Sequence, residues 1–228
     1  MTLTILTLVI GADYSKSLGK ALESKRLYAE KHGYMYIQAG EESWDRTRPI
    51  SWSKVPLLLK TLSSLPEGDL VWMSDADVLI TNPSLRIEDH VLPLLPSEKD
   101  LLLVNDACNH LNGGNILMRN TVWTRDFWKR VNERTDCTYH IWWESMALIK
   151  LLEENAADRE KVQITNQHKR INAYVMGLPN EPLWTPGDFL VHFAGVYKPS
   201  KMSALIEDIQ AGKVPRLDMY TLEPVTIN

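Results

Sequence analysis

The feature that most constrains the fold is a strand, a helix and a second strand at the start of the chain. Residues 3–10 form an apolar, β-branched run, which is typical of a strand covered on both faces. Residues 15–32 carry helix-forming side chains with apolar positions on one face, and Gly33 follows as the expected C-cap. Residues 34–38 then predict a second strand. Two strands joined through a helix lie parallel in one sheet, so the sequence predicts an α/β fold.

The rest of the chain continues this alternation. We predict helices at 53–65, 121–134, 145–155 and 200–212, and strands at 70–73, 101–105, 115–119, 162–166 and 189–193. Residues 112–114, Asn-Gly-Gly, predict a turn before strand 115–119, and residues 83–96 predict a proline-punctuated loop. No repeat or Pro/Gly/Ser-rich linker divides the chain. We therefore expect a single domain over residues 1–228, with a Rossmann-like, mostly parallel central sheet flanked by helices.

Composition excludes several classes of protein. Hydrophobic residues make up 44% of the 228 residues, which is enough for a core, and the net charge of -4 argues against nucleic acid as a partner. Cys108 and Cys137 form no Cys-x-x-Cys pair, so neither a zinc ribbon nor a disulfide scaffold organises the fold. No apolar stretch approaches the ~20 residues that span a bilayer, and residues 1–10 lack the features of a signal peptide. We expect a soluble, cytoplasmic protein without a membrane span.

Two acidic residues, Asp75 and Asp77, stand at the end of predicted strand 70–73 and before the apolar residues 78–80. Two carboxylates in an apolar run repel each other and lose solvation, and a bound cation relieves both costs. Carboxylate oxygens suit Mg²⁺ or Mn²⁺, which often bridge protein carboxylates to phosphate oxygens. Ligands of open α/β sheets also gather at the carboxyl ends of strands. The pair therefore indicates a metal site, with two solvated turn residues as the alternative interpretation.

A second pattern lies far along the chain, where His192 ends an apolar strand and Gly195 and Lys198 follow at intervals of three. Imidazole is a common ligand of Mn²⁺. Gly195 would allow the backbone to approach a phosphate, and Lys198 would supply a positive charge to a diphosphate. The alternative is a core histidine with a surface lysine. Because the chain also carries the acidic pair, the combination favours a metal and diphosphate site.

Four segments of the chain stand in an informative order. They are Trp-Ser-Lys at 52–54, Val-Trp-Met-Ser-Asp-Ala-Asp at 71–77, Leu-Asn-Gly-Gly-Asn-Ile-Leu-Met-Arg-Asn at 111–120, and Gly-Asp-Phe-Leu-Val-His-Phe-Ala-Gly at 187–195. This set resembles the GT-A-fold glycosyltransferases of family 34, which contains galactosyl-, mannosyl- and xylosyltransferases. Residues 192–199 also resemble the metal and diphosphate motif of the glycogenin-type family 8 enzymes. The resemblance implies one GT-A domain, with nucleotide binding in about residues 1–105 and acceptor and sugar binding in about residues 106–228.

The resemblance also implies roles for individual residues. It places Asp75, Asp77 and His192 as ligands of a divalent cation, Mn²⁺ or alternatively Mg²⁺, and Lys198 as a ligand of the diphosphate of a nucleotide-sugar donor. Four further positions match motifs near the family's sugar pocket or its Asn-x-Tyr motif: Asn112, Gly113, Asn172 and Tyr174.

The chain departs from the family in the helix that lines the reaction centre. The family usually has an acidic residue and then Gln before Ala-Leu, whereas this chain has Glu144 followed by Ser145. Glu144 is our candidate to stabilise the sugar or hold the acceptor, with a helix N-terminal acid as the alternative. Asp106, after strand 101–105, is a second catalytic candidate or a turn residue. Lys54 is a candidate nucleotide ligand, with a solvated helix lysine as the alternative.

The expected activity is metal-dependent, retaining transfer of a sugar from a UDP-sugar, or alternatively a GDP-sugar, to a glycan or other hydroxyl acceptor. Because no second nucleophile is evident, we expect the acceptor to attack from the leaving-group side. A metal-dependent hydrolase of nucleotide sugars or phosphoesters remains open, since the same cation can activate water. A non-catalytic carbohydrate-binding protein also remains open, because three tryptophans are candidates for stacking on sugars: Trp142, Trp143 and Trp184. The sequence gives no basis for an oligomeric state.

Overall fold

The computed structural model describes residues 2–225 and, within them, eight strands and nine α-helices. The strands are β1 (Leu3–Leu8), β2 (Met35–Ala39), β3 (Leu70–Ser74), β4 (Val78–Ile80), β5 (Leu101–Asn105), β6 (Leu111–Arg119), β7 (Val162–Thr165) and β8 (Leu190–His192). The helices are α1 (Ala12–Ser17), α2 (Gly19–His32), α3 (Lys54–Ser64), α4 (Ile87–His90), α5 (Val122–Asn132), α6 (Trp143–Glu154), α7 (Ala156–Lys161), α8 (His168–Ile171) and α9 (Pro199–Gln210).

Six strands form a central sheet in the order β2-β1-β3-β6-β5-β7. Strand β6 runs antiparallel to both of its neighbours, and the other five strands share one direction. Helices cover the sheet, so the predicted mostly parallel α/β architecture is confirmed. The two remaining strands, β4 and β8, form a small antiparallel sheet in which Val78 pairs with His192. That register brings the end of β8 beside the segment that follows β3.

Strand β3 contributes side chains to both faces of the sheet. Leu70 and Trp72 pack into a core on the α2 side, while Val71 and Met73 pack into a core formed with α3, α5 and α6. Every residue of β3 is buried. A strand covered on both faces is held rigidly by close packing. The residues that leave its carboxyl end therefore start from a fixed position.

The first predicted helix is divided in the structure. Helices α1 and α2 meet at Leu18, which is fully buried and has a non-helical ψ of 8°. Gly19 follows at once, and glycine is a poor helix former, so the break falls where helix propensity is low. The predicted C-cap is confirmed, because Gly33 adopts the left-handed conformation with φ of 72°.

The predicted turn at residues 112–114 is wrong. Strand β6 runs through all three residues, and Leu111 and Asn112 pair with Asn105 and Val104 of β5. The chain reverses earlier, at residues 106–110, where Asp106 Oδ1 accepts hydrogen bonds from the backbone N–H groups of residues 108 and 110. An aspartate side chain can make such a turn without glycine.

The segment 83–96 is more ordered than the predicted loop. It contains the short helix α4 and a single 3₁₀ turn at Leu92–Leu94. Among residues 2–225, no helix has both the length and the apolar character needed to cross a bilayer.

Candidate active site

The acidic pair and the distant histidine meet at the carboxyl end of β3. Asp75 and Asp77 leave β3, and His192 ends β8, whose pairing with β4 places it beside them. His192 Nε2 lies 3.4 Å from Asp77 Oδ1. One ligand atom from each of the three residues can be chosen so that all lie within 4.8 Å of one another. Two carboxylates and one imidazole are a donor set suited to Mn²⁺ or Mg²⁺.

The histidine is fixed by its backbone and by its surroundings. The backbone N–H of His192 donates to the Ala173 carbonyl at 2.7 Å, and the side chain is buried. Gly114 of β6 packs against the ring so closely that a Cβ at that position would lie 2.2 Å from His192 Cε1. A side chain at residue 114 is therefore incompatible with this ring position, and close approach explains the glycine better than a turn does.

Lys54 lies at the start of α3 and faces the acidic residues. Its side chain is buried, and its Nζ lies 3.1 Å from Asp75 Oδ1 and 2.7 Å from Glu144 Oε1. The Ser51 hydroxyl donates to the other oxygen of Glu144, Oε2, at 2.5 Å. The interpretation of Lys54 as a solvated helix lysine is thus wrong. Glu144 is also buried, and its two oxygens are held by Lys54 and Ser51.

Burial and neighbouring charges shift the pKa values in this cluster. Burial alone lowers the pKa of Lys54, but Asp75 and Glu144 outweigh burial and raise that pKa above its usual value. Burial raises the pKa of Asp75, and the repulsion of Asp77 adds to the rise although Lys54 opposes it. For Asp77, burial also favours the neutral acid, but His192 and Lys25 reverse the balance and lower its pKa. The two acids therefore have different proton affinities.

Lys25, a buried lysine that the sequence analysis did not single out, binds the backbone of the acidic segment 75–77. Lys25 of α2 is fully buried, and its Nζ donates to the carbonyl oxygens of Asp75 at 2.7 Å and of Ala76 at 3.2 Å. Burial lowers the pKa of Lys25 to about 7, although Asp77 and Asp75 oppose that effect. A signal existed in the sequence, because residue 25 shares a helical face with apolar positions that are all buried: Ala21, Leu22, Tyr28 and Ala29.

Two adjoining cavities open onto the acidic pair. The first, of about 390 Å³, we call the apolar lobe, because Leu8, Ile10 and Tyr14 line it. The second, of about 270 Å³, we call the polar lobe, and it is lined by side chains of the predicted site. The two lobes share seven lining residues: Ser51, Lys54, Asp75, Asp77, Trp143, Gly195 and Tyr197. Together they form one cleft that passes over Asp75 and Asp77.

The cleft brings together most of the predicted site residues. Those that line it are Lys54, Asp75, Asp77, Asp106, Asn112, Gly113, Glu144, His192 and Gly195. Lys198 is exposed and stands outside this set of lining residues, although it follows Tyr197 directly. Asp106 makes the turn described above, as one interpretation of that residue predicted, and it also lines the polar lobe, where its catalytic role stays a prediction.

The tryptophans divide between rim and core. Trp142 and Trp143 line the polar lobe with 42% and 38% of their surface exposed, and Trp143 adopts a positive φ of 42°, which is strained for a bulky residue. Trp184, by contrast, is buried and donates its indole N–H to Thr81 Oγ1. Stacking of Trp184 on a sugar is therefore ruled out in this conformation.

The sequence of the chain matches a known family over most of its length. The sequence model described as the galactosyl transferase GMA12/MNN10 family, glycosyltransferase family 34, matches residues 4–96 and 93–202. An uncharacterized alpha-1,2-galactosyltransferase of Schizosaccharomyces pombe is 26% identical, over 77% of this chain and 55% of that protein. A probable alpha-1,6-mannosyltransferase of Saccharomyces cerevisiae is 24% identical, over 48% of this chain and 36% of that protein. The chain spans about half the length of the first curated relatives it matches, 55% and 56%.

Solved structures share the fold. The crystal structure of a glycosyltransferase involved in the glycosylation of the major capsid of PBCV-1 superimposes with a TM-score of 0.71, covering 91% of this chain and 99% of that one at 14% identity. At such low identity the likeness concerns the fold alone, which is the GT-A fold.

Proposed function

Because the chain belongs to the galactosyl transferase GMA12/MNN10 family, we propose that it is a divalent-metal-dependent, retaining glycosyltransferase. The donor is a nucleotide diphosphate sugar, a UDP-sugar in the first instance and a GDP-sugar as the second choice, and the acceptor is a hydroxyl of a glycan. One observation carries the proposal. The carboxylates of Asp75 and Asp77 and the imidazole of His192, which are far apart in the chain, converge within 4.8 Å at the floor of one cleft.

The donor fits the two lobes of the cleft. The apolar lobe, with Tyr14 and Ile10 in its wall, offers a surface for a flat nucleobase, and the diphosphate then lies over the acidic pair. A cation held by Asp75, Asp77 and His192, Mn²⁺ or alternatively Mg²⁺, would neutralise the negative charge of the diphosphate leaving group. We assign Lys198 to the diphosphate on the family resemblance, and its position next to Tyr197 of the cleft supports that assignment.

The charges of the polar lobe favour same-face attack. Glu144 contacts Lys54 through one oxygen and accepts a hydrogen bond from Ser51 at the other, and these contacts stabilise its negative charge and make it a weak nucleophile, while each oxygen can still accept a further hydrogen bond. We therefore propose that Glu144 and Lys54 hold the sugar through its hydroxyls. Asp106 and Asn112, in the same lobe, supply further hydrogen-bonding groups. The departing phosphate would then accept the proton of the acceptor hydroxyl.

The rim of the polar lobe supports a carbohydrate acceptor. Trp142, Trp143 and Tyr197 line this lobe with exposed rings, and Tyr197 is 81% exposed. Aromatic rings offer a large apolar face, and the polar atoms of Tyr and Trp can remain in contact with water. The face of a sugar ring can stack on such an apolar surface while its hydroxyl groups stay solvated. An acceptor resting on this rim would present its hydroxyl toward the acidic pair.

The test combines ligand binding with turnover. We expect UDP or a UDP-sugar, tested against their GDP counterparts, to raise the melting temperature only with Mn²⁺ present, since a ligand at about 100 times its Kd stabilises the native state by about 2.7 kcal/mol. D77N should abolish this shift and lower transfer by about 100-fold or more, because a charge-stabilising group is lost. D126N, which neutralises an exposed acid on α5, is the matched control.

Three outcomes would contradict the proposal. Turnover that is unchanged in EDTA would contradict the proposed metal dependence. Release of free sugar as the main activity, independent of acceptor, would indicate the hydrolase. Glycan binding that needs neither nucleotide nor metal, without any transfer, would indicate the carbohydrate-binding protein. Retention is checked separately, by NMR of the anomeric configuration of the product.

A further inference from the structure

We propose that Trp72, Asn115 and Asn172 are positioning residues that fix the tautomer of His192. They hold the neutral imidazole with its proton on Nδ1, which leaves the lone pair of Nε2 directed toward Asp77. The inference rests on the metal site of the proposed function. It concerns the protein without metal, however, and can be tested without any turnover.

The first fixed point is the indole of Trp72, which can only donate a hydrogen bond. Trp72 Nε1 lies 3.1 Å from the side-chain amide of Asn115, so the atom that faces it must be the oxygen, Oδ1. The nitrogen of Asn115 then faces the other way and donates to Asn172 Oδ1 at 2.8 Å. Both residues are fully buried, so no solvent competes for these groups.

The second fixed point is the backbone N–H of Gly114, which is also a donor. It lies 2.9 Å from Asn112 Oδ1, so that atom must be an oxygen. Asn172 approaches the same oxygen at 3.0 Å and must present its nitrogen, Nδ2, there. Asn172 Nδ2 also donates to the hydroxyl of Tyr174. Two donors at opposite ends of the network thus assign the same orientation to Asn172.

The consequence falls on His192. Its Nδ1 lies 2.8 Å from Asn172 Oδ1, which can only accept, so Nδ1 must carry a proton. In the neutral ring Nε2 is then unprotonated, and it is the atom 3.4 Å from Asp77 Oδ1. With the opposite tautomer a proton would occupy the position from which Nε2 binds a metal. Outer partners of this kind set the ring orientation and the basicity of a ligating histidine.

The direct test is NMR of the metal-free wild-type protein with ¹⁵N-labelled histidine. At a pH at which the spectrum shows a neutral ring, we expect His192 to carry its proton on Nδ1 and to have an unprotonated Nε2. H192Q assigns the signal by its loss. A neutral ring that carries its proton on Nε2 would overturn the inference. Loss of sugar transfer in a separate assay would not change this result, so the two proposals can fail independently.

Variants then separate positioning from folding. N172L removes the acceptor at nearly constant volume, and we expect His192 to shift toward the Nε2–H tautomer and Mn²⁺ affinity to fall by about 10–100-fold. N172D keeps an acceptor and should keep the Nδ1–H tautomer. N120L is the matched control, since Asn120 is equally buried but donates to the carbonyls of Leu62, Leu65 and Pro66, away from the site. An N172L spectrum that retains Nδ1–H would overturn the inference, as would an equal loss of Mn²⁺ affinity in N120L.

Discussion

At the scale of single residues, the main finding is that one lysine serves two acids. Lys54 is buried between Asp75 and Glu144, so its charge offsets one buried carboxylate, that of Glu144, and one partly exposed carboxylate, that of Asp75. Exposed ion pairs contribute little to stability, but removing one partner of a buried pair leaves an uncompensated charge. Removing Lys54 should therefore lower the free energy of unfolding more than removing an exposed lysine does.

We expect K54M to lower the free energy of unfolding by about 3–5 kcal/mol in the absence of metal, because Glu144 loses its buried counter-charge. Adding E144Q to K54M should recover part of that loss, since the remaining group is then neutral. Urea denaturation of the two variants and of the wild type measures both effects. K129M, which removes an exposed lysine of α5, should change stability by less than about 1 kcal/mol. Equal losses in K54M and K129M would contradict the argument.

Residues with chemical patterns were predictable, and residues defined by tertiary contacts were not. Asp75, Asp77 and His192 were singled out because the acidic pair and the histidine motif occur in one chain, although each pattern alone has another interpretation, and the structure brings the three side chains together. Asn115 was missed, since its partners Trp72 and Asn172 come from distant parts of the chain. Ser145 stands where the family usually has glutamine, and nothing in the structure explains this difference.

At the scale of elements, one buried aspartate, Asp158, links helices α5 and α7. Asp158 of α7 is buried and accepts two hydrogen bonds from Arg130 of α5, at 2.5 and 2.7 Å, and one from the indole of Trp123 at 3.0 Å. The hydrogen bonds from Arg130 are the largest influence on this carboxyl and lower its pKa, although burial opposes them. Helices α5 and α7 are thereby joined by an ionised group.

We expect D158N to lower the free energy of unfolding by about 1.5–3 kcal/mol at neutral pH, the usual contribution of hydrogen bonds to a charged group. Because the folded pKa lies below the unfolded value of about 4, the stabilisation is complete above pH ~4 and disappears as pH falls through the folded pKa. Urea titrations from pH 7 downward should show the two proteins converging. D126N, at an exposed site on α5, is the control, and a difference that persists at the lowest pH would contradict the assignment.

Elements were predicted where the local pattern is strong: α2 ends at the glycine cap Gly33, α5 is amphipathic, and β5 is a continuous apolar run. One element was mispredicted because glycine is common in turns but also occurs in strands where a neighbouring group comes close. Asn-Gly-Gly at 112–114 has the composition of a turn, yet in β6 it provides a close approach to His192 and backbone atoms for Asp75 and Lys54. Composition alone does not distinguish a glycine that bends the chain from one that makes room for a neighbour.

At the scale of the whole molecule, the two predicted parts are interleaved. Strand β6, from the second part, lies between β3 and β5 of the first, and β8 pairs with β4. The sequence predicted the strands and their prevailing direction. It did not predict the order of the sheet, because the insertion of β6 depends on pairings across long stretches of chain.

We expect a fragment of residues 1–105 not to fold by itself, because β3 and β5 both pair with β6 and would each expose an edge. Circular dichroism with urea denaturation should show no cooperative transition for the fragment and a clear one for the intact chain. Cooperative unfolding of the fragment alone would show that residues 1–105 fold independently. A mixture with residues 106–228 tests whether the missing strand restores structure.

The pairing of Val78 with His192 has a consequence for synthesis. A ribosome releases the chain from its amino end, so the two acids emerge long before the imidazole that completes their cluster. Until β8 is made, the nascent chain carries two neighbouring carboxylates without the histidine that β8 places beside them. Assembly of the cluster of Asp75, Asp77 and His192 is thus a late event of synthesis.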